Sequence, residues 1–309
     1  MHRNINLVSK AWRKALLCSL ISFAAVNASA QGSNVDGLPS AQATPSPQAK
    51  PSPTLEHRFF SNILLDQRAI WTSPFNLKRG DAKWLAPLGL STVVLLVTDR
   101  RTTGELVENG NNQTRLRISR DVSRVGEFYT TGGVAAAFYL IGRSRNNARA
   151  RETGLLGGEA LIDGGIVSTV LKLASQRPRP GQAQGRGDFL DGGNSFPSGH
   201  ATSAWALATV VANEYKRHRV VQLSAYGLAA AVSMSRYTGR NHFLSDVLVG
   251  SAIGYGIGRY VYNKNHDPTL DTMDGQEKSG KARSKLLPFI SPRFSRAERA
   301  YGLRLAWEL

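Results

Sequence analysis

Residues 235–246 read SRYTGRNHFLSD and hold an arginine, a histidine and an aspartate within twelve positions. If one helix begins near Asn241 and runs on through 243–260, His242 and Asp246 lie four apart and share a face. A carboxylate there accepts the proton on one imidazole nitrogen and leaves the other nitrogen bare, as a nucleophile or base requires. The turn formers Thr238-Gly239-Arg240-Asn241 allow Arg236 to fold back over the same pocket. Two readings of the pair are open at this point, a reactive dyad and a helix-surface ion pair.

Two stretches upstream bear on the choice. Residues 196–200, FPSGH, precede a periodic apolar run over 201–215, with Ser198 placed to cap it. Free N–H groups in the first turn of such a helix hold an anion. Gly199 removes the side chain that would block close approach, and His200 stands where a proton can be delivered to a leaving oxygen. Residues 172–180, KLASQRPRP, end a helix predicted over 161–176, because neither Pro178 nor Pro180 can continue the ladder. Lys172 then lies in the last turns and Arg179 just past the end. An arginine offers a planar fork to two phosphate oxygens, and a lysine offers a mobile point charge. Each stretch also has a plain reading, a capped helix start and a solvated charge run.

Taken jointly, Lys172 with six residues before Arg179-Pro180, then Pro197-Ser198-Gly199-His200, then Ser235-Arg236 with five residues before His242 and three more before Asp246, resemble the signature of the type 2 phosphatidic acid phosphatase (PAP2) superfamily. That superfamily also includes bacterial non-specific acid phosphatases and vanadium-dependent haloperoxidases. The resemblance covers roughly residues 71–262. It implies an all-α helical bundle with about six core helices. It further implies that His242 attacks phosphorus to form a phosphohistidine, Asp246 orients it and His200 protonates the leaving alcohol. Lys172, Arg179 and Arg236 would hold the phosphoryl oxygens, with hydrogen bonds from Ser198 and the Gly199 amide.

A phosphoryl group in transfer spreads negative charge over its equatorial oxygens, and alignment with electrostatic stabilisation does most of the catalysis. Three basic side chains supply that without a metal or other cofactor, and the sequence contains no His-Glu-x-x-His, no paired cysteines and no dense run of carboxylates. Asp188 and Asp191, in the Gly-rich loop before residue 197, shape that loop or meet a substrate head group. The expected function is hydrolysis of phosphate monoesters, with a lipid phosphate, undecaprenyl pyrophosphate or a small phosphoester as substrate. Two alternatives are a vanadate-dependent haloperoxidase, with vanadate in the same cradle, and a non-catalytic envelope binding or scaffold protein.

The rest of the chain frames this domain. Residues 1–30 have the layout of a secretory signal peptide, a basic start, a short apolar run and Ala28-Ser29-Ala30. The only cysteine, Cys18, falls inside it. Residues 31–54 are rich in Ser, Pro and Gln and predict a disordered linker. Residues 55–264 form the phosphatase-like domain, with helices predicted over 59–70, 85–97, 122–141, 155–176, 201–216, 220–236 and 242–262, and a loop over 109–117. Residues 265–309 form a basic tail whose end, YGLRLAWEL, alternates like a strand.

A net charge of +17 favours anionic substrates and an anionic membrane surface. No nucleic-acid module accompanies it. An exported protein of the bacterial periplasm or envelope is expected. Apolar runs of about 13 to 17 residues fall short of the roughly 20 that span a bilayer, which favours peripheral over integral attachment. Gly250, Gly254 and Gly258, four apart, predict a helix face with little side chain.

Overall fold

The computed structural model describes residues 55–108, 112–182, 186–272, 289–295 and 300–306. The signal-peptide and linker expectations, and most of the basic tail, lie outside them. Eight α-helices appear among the described residues: α1 (Leu55–Thr72), α2 (Ala82–Glu108), α3 (Gln113–Val125), α4 (Phe128–Ser144), α5 (Ala148–Ser175), α6 (Gly199–Glu214), α7 (Arg219–Thr238) and α8 (Leu244–Asn265). Short 3-10 turns at Ser73–Asn76 and Arg79–Asp81 join α1 to α2. The architecture is all-helical apart from one antiparallel hairpin, β1 (Phe289–Ser295) with β2 (Ala300–Ala306), in which Phe289 faces Ala306 and Ser295 faces Ala300. The alternating C-terminal stretch thus finds its partner within the tail itself.

The centre of the bundle is α6, which packs most extensively against α8 and also against α5 and α7. The α6–α8 contact is unusually close because the glycine stripe of α8 lies on the α6 backbone. A Cβ at Gly250 would sit 2.5 Å from the Ser198 carbonyl, one at Gly254 2.3 Å from that of Thr202, and one at Gly258 2.5 Å from that of Ala206. Only glycine permits this approach. Thr202 adds a tie, donating from Oγ1 to the Gly250 carbonyl at 3.1 Å while accepting from Ser168 of α5 at 3.0 Å. Leu156, Val167, Val210, Ile257 and Val261 fill the apolar core between α5, α6 and α8.

Three expectations change. The predicted helix over 122–141 is two helices: α3 ends at Val125, the Gly126 amide bonds the Ser123 carbonyl, and α4 starts at Phe128. A Cβ on Gly126 would strike Val232 Cγ1 at 2.3 Å, so a residue chosen for close approach also interrupts the helical pattern. The predicted loop over 109–117 is already helical from Gln113, because Asn112 Oδ1 caps the Arg115 amide at 3.1 Å. Finally, α8 begins at Leu244, so His242 lies two residues ahead of the helix.

Two helical stretches, Arg79–Gly104 and Ala148–Ser175, are long and apolar enough to cross a membrane. The second is largely buried in the bundle. The first carries none of its apolar window inside the protein, and Trp84, Leu90 and Val97 are 81%, 68% and 78% exposed. The sequence measure of uninterrupted apolar length stops at Asp99; the helix itself continues through it.

Candidate active site

Gln176 takes a left-handed conformation (φ 46°) and ends α5, after which Pro178 and Pro180 carry the chain away. Lys172, one turn earlier, donates its ammonium to the carbonyls of Asn194 (2.8 Å) and Pro197 (2.7 Å). Arg179 is held by Asn194 Oδ1 at 3.1 Å from Nε. The segment before α6 is thereby drawn across the end of α5. Lys172 Cε lies 3.7 Å from the position of a Cβ on Gly199, which places the ammonium stem against the first turn of α6.

Ser198 occupies the N-cap of α6, but its side chain makes no capping bond. Its backbone N–H donates instead to the Asp246 carbonyl at 3.0 Å. The Ser198 hydroxyl is fully buried and has no hydrogen-bond partner, an uncommon state for a buried polar group. The cap expected from sequence is therefore an unpartnered hydroxyl, one residue ahead of Gly199, which with Gly126, Phe128, Ser168, Lys172 and His200 lines a cavity. Arg236, in the last turn of α7, reaches toward the same region and donates to Ser123 Oγ of α3. Its Nε is buried without a partner.

His242 is 2% exposed. Its Nδ1 lies 3.3 Å from Ser195 Oγ and 3.6 Å from Asp246 Oδ2, leaving Nε2 as the nitrogen away from the carboxylate. Asp246 Oδ2 also accepts from the Phe243 amide (3.0 Å) and the Ser195 hydroxyl, while Oδ1 accepts from Arg177 Nη1 at 2.6 Å. Arg177 continues to Asp99 Oδ2 of α2 at 2.9 Å. Asp188, one of the loop acids, pairs with Arg100 at the surface, so it shapes the loop.

The electrostatics follow from this crowding. Burial, and then the charges of Arg236, His242, Arg179 and Lys172, push the His200 imidazole down to about 3. Burial also dominates at His242, which falls to about 4 although Asp246 pulls the other way. Arg236 is lowered to about 10 by burial and by Arg179. Burial alone would raise Asp246, but His242, Arg177 and Ser195 more than offset it and the carboxyl is held below its ordinary range. Both histidines are therefore neutral at pH 7. The three sequence stretches meet here, since Lys172 bonds the Pro197 carbonyl and the Ser198 amide bonds the Asp246 carbonyl.

Residues 154–269 match the model of the PAP2 superfamily. The chain carries a PAP2 superfamily domain. Lys172, Arg179, Ser198, Gly199, His200, Arg236, His242 and Asp246 all fall within that PAP2 segment. Curated relatives include the lipid A 1-phosphatase of Porphyromonas gingivalis, 39% identical over 70 residues that make up 22% of this chain and 16% of that protein. The probable diacylglycerol pyrophosphate phosphatase 1 of Schizosaccharomyces pombe is 29% identical over 171 residues, 43% of this chain and 61% of that protein. The chain thus spans less than two thirds of the length of these relatives. Among solved structures, Aquifex aeolicus LpxE aligns over 52% of this chain and 92% of its own at 20% identity and a TM-score of 0.39. The transmembrane PAP2 type phosphatidylglycerolphosphate phosphatase of Bacillus subtilis aligns over 63% and 96%, also at 20% identity, with a TM-score of 0.44.

Sequence reasoning passed over Arg177, Asp99, Ser195 and Ser123. Arg177 stands in a proline-flanked charge run, and Asp99 ends an apolar one. Folding also gathers carboxylates that no local run announced: Glu152 and Glu214 meet His266, and Asp66 meets Glu159 and Asp163. Neither group includes a residue of the site. Glu152 is occupied by His266 Nδ1 (2.7 Å) and the Asp267 amide (2.9 Å), and Asp66 by Lys264 and Tyr260.

Proposed function

We propose that this chain hydrolyses lipid phosphate esters through a covalent phosphohistidine on His242. The observation that carries the reading is the pairing of a buried, neutral His242, tied through Nδ1 to Asp246, with a basic cradle that holds two unpartnered donors. Those donors are the Ser198 hydroxyl and the Arg236 Nε, and Lys172 and Arg179 add their charges.

In the forward step, His242 Nε2 forms the N–P bond as the bond from phosphorus to the leaving oxygen breaks. The leaving oxygen takes its proton from His200, which is neutral at rest and picks that proton up from solvent when the phosphate anion binds. Asp246 accepts a hydrogen bond from Nδ1–H of the cationic phosphohistidine, which keeps its proton, and so stabilises that cation and keeps the ring oriented. In the second step His200 takes a proton from water as the water oxygen bonds phosphorus, and the N–P pair returns to His242. Lys172, Arg179, Arg236, Ser198 and the Gly199 amide receive the equatorial oxygens, so the scheme needs no metal ion.

A lipid substrate is supported by two features. One is an apolar cavity lined by Val134, Phe138, Leu207, Val211, Leu228 and Val232; Val125, which also lines it, is followed in the chain by Gly126, which lines the cavity at His200. The exposed apolar flank of α2 supports membrane association, and the signal-like first thirty residues support export to the periplasm or envelope.

Rapid acid-free quenching of the enzyme with labelled lipid phosphate tests the scheme. The label should be stable to alkali, labile to acid and absent from His242→Ala. Turnover by His242→Ala, or label found on another residue type, would refute it.

A further inference from the structure

Arg177, 2% exposed, is a buried cation beside the site. Each of its three nitrogens donates: Nε to the Gly187 carbonyl (2.8 Å), Nη1 to Ser245 Oγ (2.7 Å) and Asp246 Oδ1 (2.6 Å), and Nη2 to Asp99 Oδ2 (2.9 Å). Its guanidinium carbon lies 4.1 Å from the Phe243 ring centroid and 5.0 Å from that of Phe189. Gly187, at φ +64°, lets the loop pass beneath; a Cβ there would strike the Phe243 ring at 2.5 Å. Asp99, 1% exposed, also accepts from the amide (3.3 Å) and hydroxyl of Ser245.

We propose that Arg177 and Asp99 are positioning residues that hold Asp246 in place and leave it one full negative charge to meet the His242 cation. The proposal rests on the phosphohistidine reading above. One guanidinium against two carboxylates leaves a net −1 in the buried group. Phosphorylation of Nε2 with Nδ1 still protonated makes the His242 ring a cation, and the set becomes neutral. Without Asp99, Arg177 would be balanced by Asp246 alone, and the cationic phosphohistidine would face an already neutral pair. Without Arg177, Asp246 would face Asp99 unshielded and lose the fork that fixes Oδ1. The other charges acting on this pair are Lys172 of α5 and Arg236 of α7, both on the His242 side. Since Asp99 belongs to α2, the docking of that exposed apolar helix is read directly by the catalytic carboxylate.

The test combines histidine ¹⁵N NMR with kinetics on the full chain and its Arg177→Met, Arg177→Lys and Asp99→Asn variants. In the wild type the His242 ring should be the Nδ1–H tautomer. In Arg177→Met and Asp99→Asn that signal should weaken or exchange with the Nε2–H form, and kcat should fall on the order of a hundredfold with KM changed little. Arg177→Lys should recover part of the loss. Combining Arg177→Met with Asp246→Asn should add no further loss. A folded Arg177→Met or Asp99→Asn protein with wild-type tautomer and kcat would overturn the proposal, as would additive losses. Asp99→Asn, nearly isosteric, keeps the test decisive if Arg177→Met does not fold. A wild type that turns over no phosphate ester would defeat the functional reading, while the tautomer measurement would still decide the positioning role.

Discussion

A bound anion should carry a proton into the site with it, and the uptake should belong to His200. In the unliganded protein burial and four surrounding basic groups hold this imidazole at about 3, so at pH 5 it is neutral and has no proton to give. A unit negative charge about 4 Å away, in an environment of effective dielectric near 20, favours the imidazolium by on the order of 4 kcal/mol. That is worth about three pH units, which carries His200 up to about 6. Sulfate is the suitable probe because it stays a dianion throughout the range. Titration calorimetry at pH 5 in buffers of different ionisation enthalpy should show nearly one more proton taken up per sulfate by the wild type than by His200→Gln, falling to about half a proton at pH 6. Any uptake at His242 is common to both proteins and cancels in the difference. Equal uptake by the two would remove the reasoning by which a histidine neutral at rest becomes the acid of the first step.

Three further outcomes are expected. Replacing His242 by Asn should lower kcat by about 10⁴-fold or more while sulfate affinity, read by the same calorimetry, stays within a few-fold; a small kcat effect would remove the nucleophile. Gly254→Ala would put a Cβ 2.3 Å from the Thr202 carbonyl and should cost about 1–3 kcal/mol of stability, seen as a lowered Tm; an unchanged Tm would mean the α6–α8 contact is looser than described. Both site histidines have folded values below the ordinary 6.5, so below pH 6.5 the unfolded chain binds more protons. Stability should fall from about pH 6.5 toward 3, less steeply below 4 where His242 is already protonated, and then level from this source, and His242→Gln should flatten the slope in thermal melts.

The site was readable in sequence where the chemistry and the local geometry coincide. Pro178 and Pro180 stop α5 wherever they occur, so Lys172 and Arg179 had to lie at its end. Arg177 shows where such reading stops. It stands two positions from Arg179, followed like it by a proline and with the same charge, yet one arginine turns outward to Asn194 and the other inward to Asp246. The difference is made by Phe189, Phe243 and Gly187, whose approach depends on the path of a loop and not on a local pattern. Asp99 closes an apolar run like any solvated helix end, and only the fold gives it partners, Arg177 after α5 and Ser245 in α8. The pairing of His242 with Asp246 was legible, but not for the expected reason. Asp246 is in the first turn of α8 and reaches back to the preceding segment, where periodicity had placed both on one helical face.

The glycine stripe of α8 gives the site its tolerance of variation. Ser198 and His200 open α6, Asp246 is in the first turn of α8 with His242 just before it, and those two helices touch main chain to main chain. The spacing between His200 and His242 is therefore set by two backbones and owes little to any packed side chain. The walls toward α4 and α7 belong to other helices, so their side chains can be exchanged without shifting either imidazole.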